Sequence, residues 1–395
     1  MDPERADTPG DVQAFDALDR TISRAGPSAA LDLLILRFRG EGDYAKVFQA
    51  RLMKKRHEMG LPLFGSEPLA DLPPDQSRGY EAECTEAAQE SGEMYLAAGE
   101  IERAWPYFRA VGDLTPVAEA IENLKPREGL ERVIEIALFE RVNPRKGFEL
   151  VLEQYGLCRA IGCLAQYPDR RTRPECIRML IRALHKELVA NIKHSIERQE
   201  GRQPKTECIP ELIAERDWLF AENGYYIDTS HLISALEFSV ELDDTETIRL
   251  ALELTHYGPH LAPMFQYKGR PPFEDVYRDH AVYLGALIGK EVDAAITHFR
   301  RKVIENDTQA SQATGAQVLV NLMSRVGRYA DAVEVAAEYL KDLDPAELAC
   351  PTLPDLCRRS GDFAPLMRVA RAQGDLLTYV AAAAQDSFCR RSKNS

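Results

Sequence analysis

Histidine is concentrated in one part of this sequence, where it is interleaved with acidic side chains. Five of the eight histidines lie between residues 231 and 298. If stacked helices bring them to one wall, three imidazoles and a carboxylate form a ligand set that suits zinc, iron or manganese. The candidate ligands are His231, His256, His260, His280, Glu237 and Asp279, with Glu274 and Asp275 nearby. One hypothesis is therefore a helical metal-dependent enzyme with its site in residues 228 to 298.

The spacing of these histidines favours a structural role instead. His256 and His260 are four residues apart, but Gly258 and Pro259 lie between them and should end the helix. The sequence has no H-E-x-x-H motif, in which two ligands share a helix face. His231 follows three residues able to cap a helix, and a neutral, hydrogen-bonded imidazole is ordinary in a protein. We therefore expect no cofactor, and the metalloenzyme is the alternative to a binding protein.

Other catalytic templates are missing from the sequence. It contains no G-x-S-x-G elbow, no G-x-x-x-x-G-K phosphate loop and no G-x-G-x-x-G following a strand. The acid-rich stretch "ELDDTETIR" from Glu241 is a turn followed by a helix start, where the helix dipole favours carboxylates. Catalytic residues are thus unknown from the sequence, and a non-enzymatic protein is the favoured class.

One line of basic residues indicates a possible partner-binding surface. Arg178, Arg182 and Lys186 follow one another at four-residue spacing on a predicted helix, and Lys193 comes two turns later. Such a ridge could receive an acidic peptide, because grooves of helical repeats bind extended segments, although most charge runs are solvated faces. The stretch "ARLMKKRHEMG", 50 to 60, is interpreted as a helix end whose cations lie near the negative pole of the dipole and need no ligand.

Composition and charge limit the class of protein. The 395 residues carry 49 Lys and Arg against 63 Asp and Glu, a net charge of -14, so nucleic acid would meet repulsion. The sequence has no run of about 18 uncharged apolar residues, the length that a membrane-spanning helix requires. Its polar start differs from the basic and then apolar start of a signal peptide. Eight cysteines without a C-x-x-C pair are typical of free thiols. We predict an acidic, cytoplasmic protein with a protein or peptide partner and no nucleic acid.

The chain is predicted to be helical throughout. Apolar residues recur at three- and four-residue spacing between glycines and prolines, which indicates about twenty short helices and no strand. The longest predicted helix, 172 to 201, has a Thr172 and Glu175 capping box and Gly201 as its stop. Its apolar stripe is Ile177, Ile181, Leu184, Leu188, Ile192 and Ile196. Turns of a few residues join the helices, which is the pattern of stacked helical hairpins.

A glycine, a polar residue and a large apolar residue precede a new helix at five places. They begin at Gly42, Gly99, Gly327, Gly361 and Gly374. Because glycine readily adopts the left-handed conformation that ends a helix, each of these phrases predicts a bend between two helices.

Two of these phrases, "AAGEIERAWPYF" and "VGRYADAVEVA", resemble the tetratricopeptide repeat. A small residue follows the large one after three positions, as Ala104 follows Ile101 and Ala332 follows Tyr329. The glycines at 327 and 361 are 34 residues apart, which is the repeat length of that family. The resemblance covers about a third of the chain. It implies an all-α, right-handed superhelical array of helical hairpins, a tetratricopeptide-like solenoid, and assigns no ligand-binding residue.

The predicted organisation has two arcs. An N-terminal helical-repeat arc is expected at 11–201 and a C-terminal helical-repeat arc at 211–389, with a seam between them at 202–210. The C-terminal arc contains a proline-rich loop at 257–273. At the ends of the chain we expect a disordered segment at 1–10 and a polar tail at 390–395. The stretch "YVAAAAQDSFCRR" from Tyr379 has a small-residue face that could cap the array or dock on another chain. The predicted function is a protein-interaction scaffold or adaptor that binds an extended peptide or a partner protein in a groove.

Overall fold

The chain folds into α-helices throughout the part that the structure describes. The structure, a computed structural model, describes residues 9–64, 73–306 and 308–393. Within these ranges there is no strand, and one isolated antiparallel bridge joins Lys268 and Asp275. The predicted all-α class is therefore confirmed. In the same ranges no helix combines the length and the apolar character that crossing a membrane requires.

The chain divides into two units. The first contains Met1–Gly156 and residues 166–172, and the second contains Leu157–Ala165 and residues 173–395. Seven helices lie wholly in the first unit: α1 Pro9–Ala25, α2 Pro27–Glu41, α3 Tyr44–Glu58, α4 Pro74–Ala97, α5 Ile101–Val111, α6 Thr115–Glu122 and α7 Glu131–Leu138. The eighth, α8 Pro144–Ala165, runs across the division and has non-helical backbone at Gly156.

The second unit contains the remaining helices that the structure describes. They are α9 Arg173–Glu200, α10 Ile209–Ile213, α11 Thr229–Ser239, α12 Thr245–Tyr257, α13 Val276–Leu287, α14 Val292–Ile304, α15 Gln309–Arg325, α16 Tyr329–Tyr339, α17 Leu353–Ser360, α18 Ala364–Gln373 and α19 Leu376–Lys393. In both units helices that follow one another pack together, as α2 packs on α3, α4 on α5, α15 on α16 and α18 on α19.

The five predicted glycine bends all separate two helices. Their φ angles lie between 72° and 79°, in the left-handed region, and a helix begins two or three residues after each glycine. At Gly99 the backbone N–H donates to the carbonyl of Leu96, and the N–H of Glu100 donates to the carbonyl of Tyr95, so two of the terminal carbonyls of α4 gain partners. These glycines therefore end helices by the mechanism that the sequence predicted.

The small residues that follow two of these bends are completely enclosed. Ala104 in α5 and Ala332 in α16 are both 0% exposed. Pro106 lies inside α5 without ending it. The neighbouring helix also has a small residue at the contact, because Gly92 of α4 lies against the ring of Phe108 of α5. Close approach of paired helices is thus a property of this fold, whatever its family.

The longest helix, α9, is close to its prediction. It begins at Arg173 and ends at Glu200, and Gly201 beyond it has a φ of 71°. All six residues of the predicted apolar stripe are 0% exposed. The periodicity of the stripe therefore identified the buried face of α9 correctly.

The proposed seam and the proline-rich loop belong to the second unit. Residues 202–210 lie within it, where Ile209 is fully buried and begins α10, which packs on α12. The loop at 257–273 contains two short 3₁₀ turns, and Leu261 within it is buried. Of the predicted disordered segment and tail, residues 1–8 and 394–395 lie outside the described part, whereas α1 begins at Pro9 and α19 extends to Lys393.

Candidate functional site

The predicted metal ligands of residues 228 to 298 occupy different environments. His256, His260 and Glu237 are exposed, and the ring of His260 stacks on Phe220 at 5.1 Å between centroids. His231 is half-buried in the first turn of α11. Among the described residues the structure brings together no group of three or more His, Cys, Asp or Glu side chains suited to a metal ion.

Asp279, another predicted ligand, is instead the centre of a buried charge cluster. Its carboxylate, 1% exposed, accepts a hydrogen bond from Nε2 of His298 at 2.8 Å on one oxygen. The other oxygen accepts bonds from Nζ of Lys302 at 2.6 Å and from the backbone N–H of Asp275 at 2.9 Å. Lys302 also pairs with Glu274. These contacts join α13 to α14. Both oxygens of Asp279 already accept hydrogen bonds from protein groups, so Asp279 would have to give up these bonds to bind a metal ion.

His280, the neighbour of Asp279, is buried in an apolar setting. It is 1% exposed, and its ring stacks on Phe273 with 4.3 Å between centroids. Nδ1 lies 2.6 Å from the carbonyl of Val276, which can only accept, so Nδ1 carries the proton. The other nitrogen, Nε2, is buried and has no partner in the described part of the chain. Burial lowers the pKa of His280 to about 4, so the imidazole is neutral at physiological pH.

The predicted basic ridge of α9 is bordered by acidic residues of the same unit. Arg178 lies 2.7 Å from Asp243, and Arg182 lies 3.4 Å from Glu246. Lys193 is 4.0 Å from Glu207, and Lys186 is exposed. The charges of Arg178 and Arg182 are therefore partly neutralised by the segment before α12 and by its first turn. An acidic peptide on this ridge would compete with carboxylates that are already in place.

A groove formed by α2, α3 and α4 is a candidate ligand site. Its volume is about 450 Å³, within the range of pockets that bind small molecules or short segments. We call it the α2–α4 groove, and its lining consists of Asp32, Ile35, Leu36, Arg39, Arg51, Lys54, Lys55, Glu58 and Glu83. Four of these residues, Arg51, Lys54, Lys55 and Glu58, belong to the stretch 50 to 60 that the sequence analysis interpreted as needing no ligand.

The α2–α4 groove has an apolar base and one projecting apolar side chain. Ile35 is buried with Val47 and Ala50, so the inner edge of the groove belongs to the core of the first unit. Leu36, the next residue of α2, is 64% exposed. Because α2 turns by about 100° per residue, Leu36 points in a different direction from the buried Ile35. Leu36 is therefore an apolar group held in water at the edge of a groove.

The charged walls of the α2–α4 groove are linked by ion pairs. Arg51 bonds to Glu83 at 2.7 Å and also pairs with Glu90, and both Arg51 and Glu83 are mostly shielded from solvent. Lys54 bonds to Asp32 at 2.6 Å, and this hydrogen bond raises the pKa of Lys54. The Asp32 side chain is 53% exposed. The Arg51–Glu83 pair, between α3 and α4, is thus shielded from water, whereas the Lys54–Asp32 pair, between α3 and α2, is accessible to it.

Sequence reasoning missed the α2–α4 groove because its members come from three helices. Asp32 and Lys54 are 22 residues apart, and their contact depends on how α2 packs on α3. Leu36 was one available signal, since a leucine beside the buried face of an amphipathic helix has to meet solvent or a partner. The basic stretch at 50 to 60 was another.

No protein-family model, curated protein or solved structure matches this chain. The resemblance to the tetratricopeptide repeat therefore rests on the residues of the helix bends alone.

Proposed function

We propose that the protein is an interaction scaffold and that the α2–α4 groove binds an extended segment of a partner protein. The observation that carries this proposal is Leu36, a mostly exposed leucine at the edge of a groove of about 450 Å³. Helical hairpin arrays commonly bind extended segments in such grooves, and apolar anchors supply most of the binding energy.

The bound segment contributes an apolar side chain to the contact with Leu36. Removing a leucine side chain of this exposure from water contributes about 1 to 2 kcal/mol at ordinary transfer energies. The buried Ile35 beneath the groove gives a firm surface, because its neighbours Val47 and Ala50 are 0% and 4% exposed. A rigid base keeps the ordering cost of binding low.

The segment also carries an acidic side chain next to its apolar anchor. Lys54 is paired with Asp32, whose carboxylate is half in water, and such exposed pairs contribute about 0 to 1 kcal/mol. A ligand carboxylate can therefore replace Asp32 at little cost. Lys55 lines the same groove and has no ion-pair partner within the described residues. The shielded Arg51–Glu83 pair is expected to stay intact and to form a fixed wall.

We also propose that the hairpins within each unit continue as a right-handed, tetratricopeptide-like superhelix. The left-handed glycines at the five bends and the enclosed Ala104 and Ala332 support this arrangement. An experimental structure in which successive hairpins rotate with the opposite hand would contradict it.

The binding proposal can be tested by selection from a displayed library of random peptides on the immobilised full-length protein. We expect enriched peptides that share one apolar and one acidic position. Their binding should be lost in Leu36→Glu, which removes the apolar contact and places a negative charge beside the ligand carboxylate, and weakened in Lys54→Met. Ile304→Glu is the matched control, because Ile304 is 61% exposed and lies in α14 of the other unit. Selected peptides that bind Leu36→Glu as well as the wild type would contradict this site.

A further inference from the structure

A small apolar pocket lies in the second unit, between α16, α18 and the segment that joins α16 to α17. Its volume is about 180 Å³. Ten of the fifteen described residues that line it are Ala, Val, Leu or Pro. Leu343, Leu348 and Val369 among them are only half-buried, so an apolar group in the pocket would remove more of their surface from water. We call it the α16–α18 pocket.

The walls of the α16–α18 pocket are held in place by hydrogen bonds. The backbone N–H of Ala349 donates to Oε1 of Gln317 in α15 at 2.7 Å, and the carbonyl of Ala349 accepts from Nδ2 of Asn321 at 2.7 Å. On the other side Nε2 of Gln373, the last residue of α18, donates to the carbonyl of Lys341 at 2.7 Å. The walls are therefore formed before a ligand binds, which lowers the cost of ordering them.

The volume of the α16–α18 pocket sets the size of the apolar group that it can hold. An apolar cavity of about 150 Å³ stays free of water and binds a benzene molecule. At about 180 Å³ this pocket fits a group as large as the side chain of leucine, methionine or phenylalanine.

Two opposite charges that do not pair with each other lie at the mouth of the pocket. Among the described residues that line it, Lys341 is the one cation and Asp375 the one anion, and both are exposed. Within the described part of the chain neither belongs to an ion pair. Hydrogen bonds from the side chain and the backbone N–H of Thr378 lower the pKa of Asp375, so its carboxylate is charged at neutral pH.

An apolar pocket with one cation and one anion at its mouth matches a zwitterion with an apolar side chain. A ligand with only a carboxylate would gain Lys341 but be repelled by Asp375, and a ligand with only an amine would meet the reverse. An α-amino acid carries both charges on one carbon atom and satisfies both groups. Because it has no net charge, the net charge of -14 on the protein does not oppose its binding.

We propose that the α16–α18 pocket binds a free α-amino acid with an apolar side chain. The side chain enters the pocket, the α-carboxylate pairs with Lys341 and the α-ammonium pairs with Asp375. This inference is independent of the α2–α4 groove, which lies in the other unit.

Calorimetric titration of the full chain with free amino acids and their analogues tests the proposal. We expect saturable binding of L-leucine, L-methionine or L-phenylalanine, and binding of glycine at least about 10-fold weaker because it has no side chain. Two analogues of leucine each lack one charge. L-Leucinamide has no carboxylate and 4-methylpentanoate has no ammonium, and each should bind at least about fivefold more weakly than leucine.

Variants at the mouth assign each charge to its partner. Lys341→Met should bind leucine at least about fivefold more weakly than the wild type does, and leucinamide no more weakly. Asp375→Asn keeps an acceptor for the N–H of Thr378 and should no longer distinguish leucine from 4-methylpentanoate. Asp342→Asn is the matched control, because Asp342 is exposed next to Lys341 but does not line the pocket, and its affinity for leucine should be within about twofold of the wild type.

Three results would overturn the proposal. The first is the absence of saturable binding of all three amino acids at about 10 mM, a concentration that detects even weak affinity. The second is equal binding of leucine and N-acetyl-L-leucine, which stands for the C-terminal residue of a peptide and has no ammonium. The third is unchanged binding of leucine by Leu348→Asp, which places a charge in the apolar lining, when circular dichroism shows that this variant is folded.

Discussion

His298 on α14 donates a hydrogen bond of 2.8 Å to Asp279 on α13, and that carboxylate is 1% exposed. The same carboxylate is a counterion of Lys302. Asp279→Asn keeps the shape of the side chain but leaves the shielded ammonium with one counterion fewer. We expect the free energy of unfolding to fall by about 3 kcal/mol, the usual loss when one partner of a buried pair is removed. Urea denaturation monitored by circular dichroism measures it.

The control for this prediction is an exposed ion pair in the same unit. Asp293, 82% exposed, pairs with Arg328, and Asp293→Asn should cost less than about 1 kcal/mol. Equal losses in the two variants would mean that the Asp279 cluster is no more important than a surface pair.

His280 should make the protein less stable in mild acid. Its pKa is ordinarily 6.5 and falls to about 4 in the folded chain, because burial disfavours the charged form. Between these values the unfolded chain binds more protons, so stability falls as the pH drops from about 6.5 to about 4. His280→Phe keeps the stacking on Phe273 and cannot titrate. We expect the wild type to lose on the order of 3 kcal/mol more than this variant over that interval.

Urea denaturation of both proteins at several pH values tests the role of His280. Other titrating groups act equally in the two proteins, so the difference between them reports His280 alone. Parallel loss of stability in both proteins would contradict a neutral, buried imidazole.

Gly92 should be essential for the packing of α4 on α5. A Cβ at this position would lie 2.6 Å from Cε2 of Phe108, which is itself 2% exposed and cannot move freely. Gly92→Ala should therefore destabilise the protein by about 1 to 3 kcal/mol through overpacking. Gly79→Ala in the same helix meets nothing within 4 Å and should stabilise by about 0.5 to 1 kcal/mol. Thermal denaturation distinguishes the two, and a stabilising Gly92→Ala would refute the close contact.

Gly327 should be needed for its backbone conformation and not for space. Its φ is 79°, and a Cβ there would meet nothing within 4 Å. Gly327→Ala should cost about 1 to 2 kcal/mol, whereas Gly327→Asn should cost less because asparagine tolerates the left-handed region. Equal stability of the glycine and alanine proteins, measured by urea denaturation, would contradict this account of the helix bends.

Local features of the fold could be predicted from the sequence. The five glycine bends depend on the conformational freedom of one residue each, and the buried face of α9 follows from the spacing of its apolar residues. Both signals are contained in a few consecutive turns of chain. The all-α class followed from them because no segment has the alternating pattern of a strand.

The sites could not be predicted in the same way, because they depend on how helices pack. Asp279 was assigned to a set of ligands with His280, yet its partner is His298, 19 residues away on the next helix. The contact of Lys54 with Asp32 likewise joins two helices. The spacing of residues along one helix gives no information about how that helix is aligned with its neighbour. The sequence therefore showed where the histidines are concentrated but not which side chains they contact.

The most direct test of the central claim is calorimetric titration of a library-selected peptide into the full-length protein. The α2–α4 groove predicts saturable binding that Leu36→Glu weakens at least about 30-fold, about 2 kcal/mol, as expected for an anchor residue. Ile304→Glu should bind within about twofold of the wild type. If Leu36→Glu binds the peptide as tightly as the wild type while circular dichroism shows both proteins folded, the groove is not the partner site.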